Sequence, residues 1–420
     1  MRYPYHKVKG RNDRGNEEVR LKLWEEIEVA RRKVRGAIRR TPTVYSDTFS
    51  KLAGKEVFLK LENLQKSGSF KVRGAYYKLS RLNSSERRRG VVAASAGNHA
   101  QGVAFASSLL GIHATVVMPE ISSIAKQMAT RSYGGEVVLF GQNTDEALAR
   151  AKEIAKGGTS FIHPFDDEQV IAGQGTIGLE ILEEVPGVEA IIIPVGGGGL
   201  ISGIATIVKK RKPKVKIIGV QSARAPSAFF SMKHHKIVEM KVRPTLADGI
   251  ALRRVGEITF PIIQKAVDDI VTVRENEIAS AILMLMERKR VVAEGAGAAP
   301  LAALLSNRTR MRPQKVVLVV SGGNIDVNLL DRIIEKGLSE TGRIARLGVI
   351  LRDVPGSLSR LSELIARHHA NILHIVHERA AKDIPIGFSR VVLILETRSP
   401  DHIVEIKEGL RKERYSPRSL

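Results

Sequence analysis

The chain has 420 residues, 43% hydrophobic and 26% charged, with 67 Lys and Arg against 44 Asp and Glu for a net charge of +23. That length predicts two or three folding units, and the composition is that of a globular chain with enough apolar side chain for a large core. Cysteine is absent, which excludes disulfides, thiolate metal sites and cysteine nucleophiles. The basic excess raises nucleic acid as a partner, but it is spread out: 13 Lys and Arg against 6 Asp and Glu over residues 1–40, and 13 against 9 over 344–420. With only 5% aromatic residues the stacking platforms of single-strand binders are scarce, so a solvated basic surface is expected and no nucleic acid. The first twenty residues hold no apolar stretch suited to a signal peptide, and no window approaches 18 apolar residues, so no membrane partner is expected and the reading is cytoplasmic.

In chain order, residues 1–17 are polar and read as a disordered tail. Val- and Ile-rich runs then recur at 57–62, 91–95, 114–119, 136–140, 190–195, 216–221 and 315–322, alternating with helical stretches such as 98–111 and 144–158. Continuous runs of this kind are strands buried on both faces, so the alternation predicts an α/β fold with parallel sheets. Several such units over about 300 residues imply two sheets and a cleft between two lobes. The pattern changes after Gly337. Residues 344–420 read strand, turn, helix, strand, loop, strand, helix, the order of a ferredoxin-like βαββαβ unit whose last strand is weakened by Pro417.

Four loops carry candidate chemistry. Lys71 lies in Ser67-Gly68-Ser69-Phe70-Lys71-Val72-Arg73-Gly74-Ala75, a small-residue loop that opens a helix. The positive end of the helix dipole disfavours a charged amine there, which is what a Schiff-base lysine needs. Gly196-Gly197-Gly198-Gly199 follows a strand and precedes a helix, so its backbone can wrap an oxyanion closely. A dinucleotide fingerprint would need glycine at Ile201 or Ser202, and no Gly-Lys-Ser/Thr is present for a nucleoside triphosphate. Ser95-Ala96-Gly97-Asn98-His99 follows a strand and again opens a helix, offering N–H groups suited to a carboxylate, and Ser321-Gly322-Gly323-Asn324 follows a strand in the same manner. Taken singly, each has an ordinary alternative: a surface lysine, a tight glycine turn, plain strand-to-helix chemistry. No metal motif is present, and the His pairs at 234–235 and 368–369 would point apart on a helix, so no metal is expected.

In combination, SGSFKVRGA, SAGNHAQGVA, HPFDDEQVIAGQGTIGLEI at 163–181, PVGGGGLISG, EGAGAAP at 294–300 and SGGN come in an order that resembles the threonine dehydratases, threonine ammonia-lyases of the fold-type II pyridoxal-phosphate enzymes. The resemblance covers about 20–336, and 344–420 resembles an ACT domain. It implies a two-lobed, tryptophan synthase β-like catalytic domain over 18–337, with a small lobe at about 63–158 inserted in the large one, followed by a regulatory domain. It implies pyridoxal 5′-phosphate as cofactor, joined to Lys71, with its phosphate held by Gly196, Gly197, Gly198, Gly199 and Leu200. Asn98 would bond the pyridoxal 3′-oxygen, Phe70 would flank the ring and Ser321 would face the pyridine nitrogen. Ser95, Ala96, Gly97 and His99 would shape the loop for the substrate carboxylate. The implied reaction is dehydration and deamination of L-threonine, with L-serine as second substrate.

Serine dehydratase and serine racemase are the neighbouring activities, and an amino-acid-sensing regulator without catalysis is the non-enzymatic alternative. Two departures bear on the racemases. Ala96 stands where they carry a second serine, and Gln221, Ala225 and Ser227 stand where they carry an acidic metal site. In the C-terminal unit, the resemblance places an amino-acid effector at Asp353, Pro355, Gly356 and Ser357. An exposed sheet edge in so small a unit favours pairing with another copy, so a homodimer or homotetramer is expected.

Overall fold

The computed structural model describes residues 15–420 except 310–312 and 380–381, and side chains from residue 23 onward. The expected polar tail lies outside the described residues as far as 14. At Gly15 the chain is already helical, in a helix that runs to Val34, so the last three residues of that tail belong to a helix instead. Two compact units follow one another, the first ending at Asp326 and the second spanning Val327–Leu420. The helix Val327–Glu340 therefore belongs to the second unit, whereas the sequence placed residues up to 337 with the first.

The first unit is built on two sheets. The strands in chain order are β1 (Thr43–Tyr45), β2 (Glu56–Leu61), β3 (Val91–Ala94), β4 (Ala114–Met118), β5 (Glu136–Leu139), β6 (Ser160–Phe161), β7 (Ala190–Pro194), β8 (Lys216–Ser222), β9 (Asp269–Val273) and β10 (Lys315–Val320). The larger sheet has the order β1-β2-β10-β7-β8-β9 and is parallel except for β1. The smaller has the order β5-β4-β3-β6 and is wholly parallel. The chain leaves the large sheet after β2, completes the small one, and returns at β7, which makes the small lobe an insertion. Its fourth strand, β6, lies just beyond the boundary of 158 expected from the sequence. Helices cover both faces, and β3 and β7 are buried at every residue, which is why they read as unbroken apolar runs.

Three helices are packed to backbone contact. The helix Glu168–Glu184 opens on Asp167, whose carboxylate accepts from the N–H groups of Gln169 and Val170. It meets the helix Lys71–Ser80 at Gly173 and Gly74, and the helix Gly199–Arg211 at Gly175 and Gly203. A Cβ on Gly203 would come within 3.0 Å of the Ile171 carbonyl and the Gly175 nitrogen, so only glycine permits this approach. The spaced glycines of 172–178 are thus contact points between helices.

Beside that crossing lies a buried ion cluster. Arg73 donates through Nε and Nη2 to Glu62 at 2.8 and 2.7 Å, and through Nη1 and Nη2 to Glu180 at 2.6 and 2.8 Å. Burial opposes charge on Arg73, but Glu62 and Glu180 outweigh it and raise its pKa. Burial likewise opposes charge on Glu62, yet Arg73 keeps its carboxyl below the usual range. Lys60, fully buried on β2, extends the cluster to Glu180 at 2.8 Å and Glu184 at 3.1 Å.

The second unit contains β11 (Ile344–Arg352), β12 (Asn371–Glu378), β13 (Phe388–Glu396) and β14 (Arg418–Ser419) in the antiparallel order β12-β13-β11-β14. The helices Ser357–Arg367 and Pro400–Lys412 bring Leu361, Ile365, Ile406 and Leu410 against Leu347, Val349, Val391 and Leu393 of that sheet. The final strand forms, but with only two residues after Pro417.

The helix crossing gives the first prediction. Gly203→Ala should lower the unfolding free energy by about 1–3 kcal/mol, because backbone on the facing helix cannot yield to the added methyl. Urea unfolding should show a lower midpoint with an unchanged slope, and a wild-type midpoint would contradict the close approach.

Candidate active site

Lys71 begins its helix directly after Phe70, which is in helical conformation. The loop before it is stitched to the exit of β10: the Phe70 N–H donates to the Ser321 carbonyl at 3.0 Å, and the Gly323 N–H to the Gly68 carbonyl at 2.9 Å. The structure thereby brings Lys71, Phe70 and Ser321 together. The Lys71 amine donates to the Pro164 carbonyl at 2.7 Å and lies 5.3 Å from the Phe70 ring centre. Burial pushes its pKa down to about 8 against the opposing pull of Glu294. Near neutral pH a usable fraction of this amine is therefore unprotonated and nucleophilic.

The four glycines run from just after β7 into the first residue of the helix Gly199–Arg211, at the carboxyl end of a central parallel strand. Phe165, the residue after Pro164, fills the space a Cβ would need at Gly197 and Gly199. Gly198 has φ +100°, a conformation open to glycine and costly for other residues. Among the described residues, the N–H groups of Gly196, Gly197 and Gly198 have no acceptor. Leu200 is buried in the first turn of the helix that follows. One loop, 163–167, thus touches the Lys71 amine through Pro164 and the glycine run through Phe165.

Ser95 accepts at Oγ from the Gly97 N–H at 3.1 Å, which folds the turn after β3. Ala96 packs partly buried beside Ala100 and Met118. A Cβ on Gly97 would meet nothing within 4 Å, so the loop faces open space. His99 supports the loop from behind: it is buried, with Nε2 at 2.9 Å from the Ile162 carbonyl. A carbonyl only accepts, so Nε2 carries the proton, and burial pushes the pKa down to about 3, leaving the ring neutral.

Asn98 connects the lobes. Its Nδ2 lies 2.8 Å from each Glu294 oxygen, and its Oδ1 accepts from Asn324 Nδ2 at 2.7 Å. Asn324 Nδ2 is also 2.9 Å from the Ser67 carbonyl. Glu294 is buried at the start of the helix Gly295–Leu305, and burial raises its pKa to about 7 although the Asn98 hydrogen bonds oppose this. Glu294 and Asn324 lie in motifs quoted from the sequence, but neither was given a role of its own. The available signal was a carboxylate set among small and apolar residues in VVAEGAGAAP.

A family model for pyridoxal-phosphate dependent enzymes matches residues 34–322, and one for the ACT domain matches 345–411. An L-threonine ammonia-lyase from Thermotoga maritima is 49% identical over 395 residues, spanning 94% of this chain and 98% of that protein. The chain belongs to the pyridoxal-phosphate-dependent threonine ammonia-lyase family. The solved structure of processed threonine deaminase isoform 2 from Solanum lycopersicum is 37% identical with a TM-score of 0.72, covering 78% of this chain and 95% of that one. Maize serine racemase is 34% identical with a TM-score of 0.71, covering 75% and 98%.

The residues suit the family's cofactor. Its phosphate needs clustered N–H donors with no side chain in the way, which the glycine run provides. Its aldehyde needs a lysine of depressed pKa, which Lys71 provides. The Ser69 hydroxyl, fully buried in the Lys71 loop, has no partner among the described residues and is a polar atom such a group could satisfy. Among the described residues no cluster of three His, Cys, Asp or Glu could hold a metal ion. Both ends of the Gln221 amide are engaged, Nε2 on the Val195 carbonyl at 3.1 Å and Oε1 on the Phe229 N–H at 2.9 Å.

Glu294 yields a pH prediction. Its folded pKa of about 7 exceeds the ordinary 4.5, so folding favours the protonated form. Its contribution is complete below pH 4.5 and is lost as pH rises through 7. Removing that titration in Glu294→Gln should make the cofactor-free protein resist the rise from pH 5 to pH 7.5 better than wild type, by about 2 kcal/mol. Parallel pH dependences of the two melting temperatures would contradict a neutral, buried Glu294.

Proposed function

We propose that the protein dehydrates and deaminates L-threonine to 2-oxobutanoate and ammonia, with L-serine as a slower substrate. The observation that carries this reading is the partly neutral Lys71 amine held on Pro164 beside a glycine run with free N–H groups. Its support also comes from near-complete overlap with an L-threonine ammonia-lyase.

In this reading Gly196, Gly197, Gly198, Gly199 and Leu200 hold the cofactor phosphate, and Asn98 donates to the pyridoxal 3′-oxygen. Phe70 flanks the ring, and Ser321 faces the pyridine nitrogen. Bound pyridoxal phosphate supplies the electron withdrawal that makes the substrate Cα proton acidic. The Lys71 amine would take that proton at Nζ. The Cβ–O bond would then break, the hydroxyl leaving as water with one added proton, and the enamine would tautomerise to an imine that water hydrolyses to the oxo acid and ammonium. The Ser321 hydroxyl cannot hold a proton on the pyridine nitrogen as a carboxylate would, which favours prompt elimination over exchange of the amino group. The turn Ser95-Ala96-Gly97, opening on free space and backed by His99, receives the substrate carboxylate. The methyl of Ala96 offers no proton donor, which disfavours racemisation.

Among the described residues no helix is long and apolar enough to cross a membrane, and we place the enzyme in the cytoplasm. For the second unit we infer an amino-acid effector at the turn from β11 to the next helix. There Asp353 accepts from Arg379 Nε at 2.9 Å, Pro355 precedes Gly356 at φ +86°, and Ser357 starts the helix. The exposed edge strand β12 favours a homodimer or homotetramer.

Two experiments test these readings. L-threonine should give 2-oxobutanoate, and Lys71→Ala should lower the rate by about 10³-fold or more while the melting temperature is retained. Undiminished 2-oxo acid production by that variant would overturn the assignment. Isoleucine or valine should shift the threonine saturation curve of the full chain, and deletion after Gly342 should abolish the shift while leaving turnover. If no amino acid moves the kinetics and deletion changes only the oligomeric state, the second unit serves assembly alone.

A further inference from the structure

We propose that Thr259 is a positioning residue for the anion cradle, setting the direction in which the Gly198 N–H points. The inference rests on the reading of Gly196–Gly199 as the phosphate-binding run and asks what holds that run in shape.

Thr259 is fully buried and opens the helix Thr259–Ala266. Its hydroxyl donates to the Gly197 carbonyl at 2.6 Å and accepts from the Gly256 N–H at 3.0 Å. The Gly256 N–H also reaches the Gly197 carbonyl, at 3.1 Å. That carbonyl is therefore drawn from two directions toward 256–259. In a planar trans peptide the N–H points opposite to the C=O, so anchoring the Gly197 oxygen turns the Gly198 N–H the other way. Gly198 itself stands at φ +100°, a conformation open to glycine, with Thr259 and Ile263 packed against the position a Cβ would take.

Thr259 is itself held from outside. Asp166 Oδ2 accepts from the Glu257 N–H at 2.9 Å, and Oδ1 from those of Ile258 and Thr259 at 2.9 and 3.2 Å. These are the N–H groups entering the helix, where a carboxylate is well placed. Asp166 stands two residues after Pro164, the acceptor of the Lys71 amine. The 163–167 loop thus sets the glycine run twice, through Phe165 against Gly197 and through Asp166 and Thr259 onto the Gly197 carbonyl. No side chain of this relay belongs to the phosphate-binding run itself, so its effect appears as affinity for the phosphate group.

The test is the ratio of affinities of the full-length, cofactor-depleted protein for pyridoxal 5′-phosphate and for pyridoxal, followed by absorbance. Thr259→Val keeps the shape and removes the hydroxyl, and it should cut the preference for the phosphorylated form about tenfold. Thr259→Ser should restore it. A Val variant with the wild-type preference, or a Ser variant as poor as Val, overturns the inference, as does equal weakening of both ligands, the mark of a merely structural role. If Thr259→Val does not fold, Asp166→Asn is read by the same ratio, where a lowered preference supports the relay and an unchanged one overturns it. A wild-type protein without preference for the phosphorylated form would remove the cradle reading and this inference together, whereas a wild-type preference matched by Val removes the inference alone.

Discussion

The double fork of Arg73 onto Glu62 and Glu180 is the constraint on which the remaining geometry depends. Taking these charges out of water costs several kcal/mol for each ion, and only good geometry offsets it. Each carboxylate receives two donors from one guanidinium, at 2.6–2.8 Å, so the arrangement tolerates little displacement. Apolar packing against a helix would permit rotation or sliding; a planar fork held on both sides does not. Glu62 directly follows β2 of the large sheet, Glu180 lies on the helix after the 163–167 loop, and Arg73 is two residues from Lys71. The ion cluster thereby fixes the lysine relative to the sheet and to the loop that carries its acceptor.

The site built on that frame holds its titratable groups away from their usual solution states. Burial leaves His99 neutral, lowers Lys71 to about 8 and raises Glu294 to about 7. The same low-dielectric surroundings that disfavour each charge bring the titration of Lys71 and Glu294 close to neutrality, as the role proposed for Lys71 requires.

Much of this was legible in the sequence because it is local. Val and Ile runs located seven strands of the first unit to within a residue or two, and helix-opening loops marked Lys71 and the glycines. β1 and β6 were missed because three and two residues are too few for a periodic signal, whereas β9, as long as β4 and β7, was missed although its DIVTV run carries the same Val and Ile pattern. Pro417 shortened the last strand without abolishing it, since two residues beyond it still pair with Leu347 and Gly348. Glu294 was given no role because its partner Asn98 is 196 residues away, and Asp166 none because the N–H groups it receives are 91–93 residues distant. A single sequence carries no record of such pairings. The boundary at Asp326 was missed for a related reason: the amphipathic pattern of 327–340 does not say which core it faces.

The strand order of the large sheet also bears on how the chain reaches this state. β10 lies between β2 and β7, pairing Glu56 with Lys315 and Ala190 with Val316, yet it is the last strand of the first unit to leave the ribosome. The small lobe can assemble as soon as β6 emerges, but β2 and β7 must wait with unpaired apolar edges for more than a hundred further residues of synthesis. Closing contacts of such sequence separation is slow, and waiting edges pair readily with other chains. Nascent chains stalled before residue 315 should therefore be the aggregation-prone species, and chaperone demand should fall once the central strand is inserted.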